Sequence, residues 1–168
     1  MVDGVRLKLP IEVGGDSGII CDADMKPSLI LHAEDEESDA LLFRIALSQA
    51  GVENPIIHVP DGEAALQYLR SAQAGTDAES PPFPALLITD LKMPRLSGFD
   101  LLAAIKDLVE LKKLPVVVLT ASVADSDKAK CLQLGADAYF VKPAELSGLC
   151  QLASKLKSTW IPAVNQPA

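Results

Sequence analysis

Asp90 ends the apolar run Ala85-Leu86-Leu87-Ile88-Thr89 and opens the loop Asp90-Leu91-Lys92-Met93-Pro94. A carboxylate placed there can act as a nucleophile toward a phosphoryl group and form an acyl phosphate. Nucleophile and incoming group are both anionic, so the site must supply positive charge. Mg²⁺ does so with oxygen ligands, and one or two carboxylates plus phosphate oxygens typically hold it. Three other polar sites follow apolar runs in the same way. Glu34-Asp35 follow Leu29-Ile30-Leu31-His32-Ala33, Thr120 follows Val116-Val117-Val118-Leu119, and Lys142 follows Tyr139-Phe140-Val141. Asp35 and Asp90 are candidate direct metal ligands, Glu34 is a candidate through water, and the backbone carbonyl of Lys92 is placed to complete the set. Lys142 would neutralise a phosphoryl oxygen as a point charge. The Thr120 hydroxyl would donate to another, in a reaction that is mostly positioning and charge stabilisation.

Each residue alone has a plainer explanation. An acid pair can cap a helix, an Asp can start a turn, a Thr can simply end a strand, and a Lys can be a solvated charge. The conjunction decides, because all four sites sit at carboxyl ends of expected strands. In a parallel α/β sheet those ends share one edge, where ligands bind.

The elements that must position them are legible as an alternation. Short apolar, β-branched runs occupy 29–33, 55–59, 85–89, 115–119 and 138–141. Helical spacing at i, i+3, i+4, i+7 appears in Phe43, Ala46, Leu47 and Ala50, and in Ala65, Tyr68, Leu69 and Ala72. It recurs in Leu101, Ala104, Ile105 and Leu108, and in Leu146, Leu149, Cys150 and Ala153. The segment 125–134 is weaker, with Ala129, Cys131, Leu132 and Leu134 to bury. Asp61-Gly62 marks a turn with Asp61 as helix N-cap, and Ser122 with Asp125 resembles the start of a capping box. Gly51 and Gly135 fall where helix C-caps are wanted. Residues 74–84 form a long Pro-rich loop. Five β/α pairs with near-continuous apolar strands predict an α/β fold, a parallel sheet covered on both faces.

At 168 residues the chain suits one domain with short extensions. Residues 1–27 show no sustained period and are expected to be a disordered N-terminal extension, with Met25 a candidate true start. The domain is expected over 28–157 and a short tail over 158–168, with no output domain after it. The net charge of −8 argues against nonspecific nucleic-acid binding and against a polybasic membrane patch. Cys21, Cys131 and Cys150 form no close-spaced pair, so neither a disulfide framework nor a zinc site is indicated, and a reducing cytoplasm fits. No apolar run is long enough to span a membrane, and no signal peptide is visible.

Residues 29–157 resemble the receiver domain of two-component response regulators. The matching pieces are Ile30-Leu31-His32-Ala33-Glu34-Asp35-Glu36, Thr89-Asp90-Leu91-Lys92-Met93-Pro94 with Ser97-Gly98, Val116 through Ser122, and Gly135 through Pro143. The long loop after the second helix, Leu111-Lys112-Lys113-Leu114-Pro115 and Trp160 are similar to stand-alone regulators of the phytochrome-associated type. The resemblance implies a flavodoxin-like fold with strand order 2-1-3-4-5. It implies that Asp90 takes its phosphoryl group from a phosphohistidine on a sensor kinase or phosphotransfer protein. Glu34, Asp35, Asp90 and the Lys92 carbonyl become the Mg²⁺ pocket, and Thr120 and Lys142 contact the phosphoryl oxygens. Tyr139 becomes the aromatic that follows Thr120, and the bond before Pro143 is expected to be cis. Such a protein catalyses only its own aspartyl phosphorylation and dephosphorylation. It would then switch the face built from helix 125–134, strand 138–141 and helix 145–157 for partner binding or dimerisation. The alternative is a phosphatase-like receiver, or a phosphate sink or intermediate relay without a dedicated output partner. His32 and His58 depart from the usual strand aliphatics and read as strand fillers. Trp160 is expected to anchor the last helix against the domain or a dimer partner.

Two other classes fit poorly. A haloacid-dehalogenase-type phosphohydrolase wants a second Asp two residues after the first, where this chain has Lys92. A flavodoxin wants a Ser/Thr/Gly-rich phosphate loop, where this chain has Glu34-Asp35-Glu36-Glu37.

Overall fold

The computed structural model describes residues 28–75 and 80–163. The expected extension 1–27, with Cys21 and Met25, lies outside the described residues, as do 76–79 of the Pro-rich loop and the end of the tail. Five strands, β1 (Ile30–Ala33), β2 (Ile56–Val59), β3 (Leu86–Thr89), β4 (Val116–Thr120) and β5 (Ala138–Val141), alternate with five helices. These are α1 (Glu37–Gln49), α2 (Gly62–Ala74), α3 (Gly98–Asp107), α4 (Asp125–Gln133) and α5 (Leu146–Thr159). The strands form one parallel sheet in the order β2-β1-β3-β4-β5.

The central strands carry apolar residues on both pleats because both faces are covered. Leu31, Leu87, Val116 and Val118 pack with Ala65, Leu69, Leu101, Leu102 and Ile105 of α2 and α3 on one face, and Cys131 of α4 joins them. Ile30, Leu86, Ile88 and Val117 pack with Phe43, Leu47, Leu152 and Leu156 of α1 and α5 on the other. Truncating one such fully buried Leu to Ala costs about 2–5 kcal/mol. Asn54 joins the two ends of the domain by donating to the carbonyls of Ser28 (2.8 Å) and Pro162 (3.0 Å). Trp160 packs half-buried on the α1/α5 core.

The turn chemistry follows the sequence at most positions. Asp61 caps α2, its Oδ1 accepting from Ala64 N–H at 2.8 Å. Gly51 and Gly135 adopt φ of 74° and 97° just past α1 and α4, where a Cβ would be strained. Ser97 and Asp100 form a reciprocal capping box on α3.

Four expectations are corrected. Ser122 does not cap with Asp125; α4 starts after Ala124 without a side-chain cap, and the Ser122 hydroxyl instead donates to Asp127 at 2.6 Å. In α5 the buried stripe is Leu149, Leu152, Ala153 and Leu156, while Leu146 is exposed and Cys150 half-buried. An overlapping i, i+3, i+4 register in a Leu-rich helix wins over the first-turn set. In α4 only Cys131 is buried and Leu132 faces out. The described residues contain no cis peptide bond, so Lys142-Pro143 is trans, the isomer that X–Pro bonds intrinsically favour.

Candidate functional site

The register of the sheet brings the polar strand ends together. Ala33 pairs with Thr89, and Thr120 with Val141. Glu34, Asp35, Asp90, Thr120 and Lys142 therefore emerge on one edge. Two backbone bonds hold the first two loops there: Glu34 N–H donates to Val59 O at 3.0 Å, and Asp90 N–H donates to Ala33 O at 3.0 Å.

At the centre is the Lys142 ammonium. It donates to Glu34 Oε2 at 2.5 Å, Asp90 Oδ2 at 2.8 Å and Asp39 Oδ2 at 3.1 Å. Carboxylate oxygens of Glu34, Asp35 and Asp90 also lie within 4.8 Å of one another. Four carboxylates around one ammonium leave a clear excess of negative charge. Glu34 is 1% exposed and Asp90 7%, whereas Asp35 is open to solvent. Burial raises the Glu34 pKa, and its contacts with Lys142 only partly offset that. Burial alone would lower Lys142, but its hydrogen bonds to Asp90 and Glu34 prevail and hold it above the usual lysine range. All-oxygen donors of excess negative charge, one of them solvent-facing, suit a hard divalent cation that keeps some of its waters. Glu34, Asp35 and Asp90 are therefore fit to hold one.

The Asp90 carboxylate is oriented from behind. Its Oδ1 accepts from Leu91 N–H at 2.5 Å and Lys92 N–H at 3.3 Å, leaving Oδ2 toward Lys142. Gly98 makes this loop possible. A Cβ there would stand 2.2 Å from Asp90 O, and Gly98 N–H donates to Leu91 O at 3.0 Å.

Thr120 is buried, and its Oγ1 accepts from Ser122 N–H at 3.3 Å. Tyr139 hydroxyl donates to Ser122 O at 2.9 Å. Ser122 thus touches both residues expected to act as the switch. Asp39, in the first turn of α1, and Ser122 were not singled out as site residues from sequence. Asp39 lies two residues past the Glu34-Glu37 acid run, on a helix whose site-facing side is set only once α1 is docked. His58 Nε2 lies 2.7 Å from Glu34 O, and His32 is buried against Phe43 with ring centroids 5.1 Å apart. Neither joins the acid cluster.

No helix of the described residues is long and apolar enough to cross a membrane.

Comparison with known proteins shows the family of the chain. The family described as response regulator receiver domain matches residues 30–154. Rcp1 of Synechocystis sp., described as a response regulator, is 33% identical over 147 residues, covering 88% of this chain and 98% of that protein. A probable methanogenesis regulatory protein, FilR2 of Methanothrix harundinacea, is 32% identical over 88% of this chain and 92% of its own length. The crystal structure of the phosphorylated cyanobacterial phytochrome response regulator RcpA superposes with a TM-score of 0.72 at 33% identity, covering 85% of this chain and all of that one. The Mn²⁺-bound form of Rcp1 superposes with a TM-score of 0.70 at 34% identity, covering 84% of this chain and all of that one.

Proposed function

The chain belongs to the response regulator receiver domain family of two-component signalling, with Rcp1 and phytochrome-associated regulators among its relatives, and from that premise we propose that Asp90 is its phosphoacceptor and Mg²⁺ its cation. Glu34, Asp35 and Asp90 would hold the ion with the Lys92 carbonyl. A bound cation would neutralise charge on the phosphoryl oxygens and the carboxylate. The donor is a phosphohistidine on a sensor kinase or phosphotransfer protein. An Asp90 oxygen attacks phosphorus, the O–P bond forms, the P–N bond breaks, and the imidazole leaves with the electron pair. Leu91 N–H and Lys92 N–H keep the carboxylate aimed. Lys142 exchanges its bond to Asp90 Oδ2 for a phosphoryl oxygen. Thr120 uses its oxygen to accept from Ser122, so its hydroxyl proton is available to donate to another phosphoryl oxygen.

The observation that carries this reading is the Lys142 ammonium bonded to Glu34 and Asp90 together, inside a carboxylate cluster it does not neutralise. The output follows from the Thr120–Ser122–Tyr139 contacts. Drawing Thr120 to the phosphoryl group moves the Ser122 segment, and Tyr139, bonded to Ser122 O, follows. The α4, β5 and α5 face then shifts population between two arrangements, for a partner or for dimerisation. A helix with one buried side chain, as α4 has among the described residues, is a suitable element to move. Titration with beryllofluoride and Mg²⁺, read by the Tyr139 ring signals, tests this reading. The wild type is expected to saturate and Asp90→Asn to show no change; identical responses would overturn the assignment.

A further inference from the structure

The turn Pro60-Asp61-Gly62 between β2 and α2 rests against the loop that follows Asp90. Asp61 is fully buried. Its Oδ1 caps α2, and its Oδ2 accepts from the Arg95 guanidinium. Gly62 N–H donates to Leu96 O at 3.2 Å, and a Cβ on Gly62 would lie 2.4 Å from that oxygen. The two loops are therefore in direct contact at a point that tolerates no larger residue.

Arg95 carries a second sign. Its φ is 62°, and it is the one non-glycine with positive φ among the described residues. That region disfavours any side chain with a Cβ, and Gly or Asn occupies it most readily. An arginine there needs a compensating contact. A fully buried carboxylate likewise needs a counter-charge or further hydrogen bonds. Each residue supplies what the other lacks. Glu63, 3.8 Å from Arg95 Nε, adds an exposed and minor partner.

The same loop is fixed at its other end, where Gly98 packs on Asp90 and Leu91. Lys92 lies between these two attachments. We propose that the Arg95–Asp61 pair is a positioning latch: it holds the 91–97 loop so that the Lys92 carbonyl is presented to the divalent cation. Neither residue is a ligand; both act through the backbone. The proposal rests on the metal reading above.

Four full-length variants test it by calorimetric titration with MgCl₂ and by uptake from acetyl phosphate. Arg95→Gly removes the pair while keeping the left-handed backbone comfortable. Asp61→Asn removes the charge while keeping an equally good N-cap. Arg95→Lys restores a cation, and the double variant Asp61→Asn/Arg95→Gly measures coupling. Groups that orient a metal ligand commonly matter tenfold or more; one step further out, Arg95→Gly and Asp61→Asn are each expected to weaken Mg²⁺ binding by about three- to tenfold. Saturating Mg²⁺ should restore the phosphorylation rate, Arg95→Lys should recover part of the affinity, and the double variant should match the singles. A general loss of folding would not produce that rescue. The latch is overturned if both singles bind Mg²⁺ within about twofold of wild type, if their losses add in the double variant, or if saturating Mg²⁺ restores nothing. A wild type that binds no Mg²⁺ would sink the metal reading along with the latch, whereas normal wild-type binding with unaffected variants sinks the latch alone.

Discussion

Lys142→Met keeps the aliphatic stem and deletes the charge at the centre of the acid cluster. The lysine side chain is 13% exposed and Glu34 1%, so the pair is close to buried. Deleting one partner of a buried pair costs about 3–5 kcal/mol, chiefly through the charge left behind. Residual exposure and the additional partner Asp39, which is half open to solvent, favour the low end. For metal-free protein at pH 8 we expect a loss of about 3 kcal/mol, or roughly 10 °C in Tm for a domain of this size.

Protonation of Glu34 limits the loss. Burial already raises its pKa with Lys142 present, and removing the ammonium raises it further. Between the unfolded and folded pKa values the native state binds more protons than the unfolded state, so stability falls as pH rises through that window. The deficit should therefore shrink as pH is lowered into that window. Mg²⁺ should shrink it as well, because cation and ammonium compete for the same oxygens and the variant loses the competitor. Urea unfolding at a series of pH values, with and without Mg²⁺, reads all of this. A metal-free loss under about 1 kcal/mol, or an equal deficit with and without Mg²⁺, would refute the reasoning.

Gly98→Ala forces a methyl against Asp90 O and Leu91 Cα, both backbone atoms; a loss of about 1–3 kcal/mol in urea unfolding and slower phosphoryl uptake are expected. His32 is held near pKa 3 by burial, with the charges of His58 and Lys142 adding to it. Between that value and 6.5 the unfolded state alone takes up the proton, so stability falls with falling pH. His32→Phe should accordingly lose about 2 kcal/mol less than wild type between pH 7 and pH 5 in urea unfolding. Burial pushes the Cys131 thiol up to about 11. Alkylation at pH 8 followed by peptide mapping should modify half-buried Cys150 in the folded protein and leave Cys131 unmodified until urea is added.

The sheet was legible because its strands are short β-branched runs bounded by turn residues, and each strand boundary falls within a residue or so of the sequence expectation. The residues proposed to hold the metal and the phosphoryl group were legible as a cluster for the same reason. Each sits at a strand end, and a parallel sheet gathers those ends whatever the loops do. What escaped depends on docking rather than on local pattern. Asp61 reads as an N-cap and is one, but its bond to Arg95, 34 residues away, leaves no local trace. Asp39 reaches Lys142 only because α1 packs at a particular rotation. Ser122 matches a capping spacing, yet α4 begins late enough that its hydroxyl meets Asp127 instead. In α5 two overlapping apolar stripes share Leu149, and packing against α1 selects the one that continues through Leu156.

The most direct measurement is to map the phosphorylated residue by mass spectrometry after incubation with acetyl phosphate, with Mg²⁺ and with chelator. One hydroxylamine-labile phosphoryl group on Asp90, formed only with the cation and missing from Asp90→Asn, is the predicted result. A phosphoryl group on another residue, or one on Asp90 that forms equally well in chelator, would contradict the account.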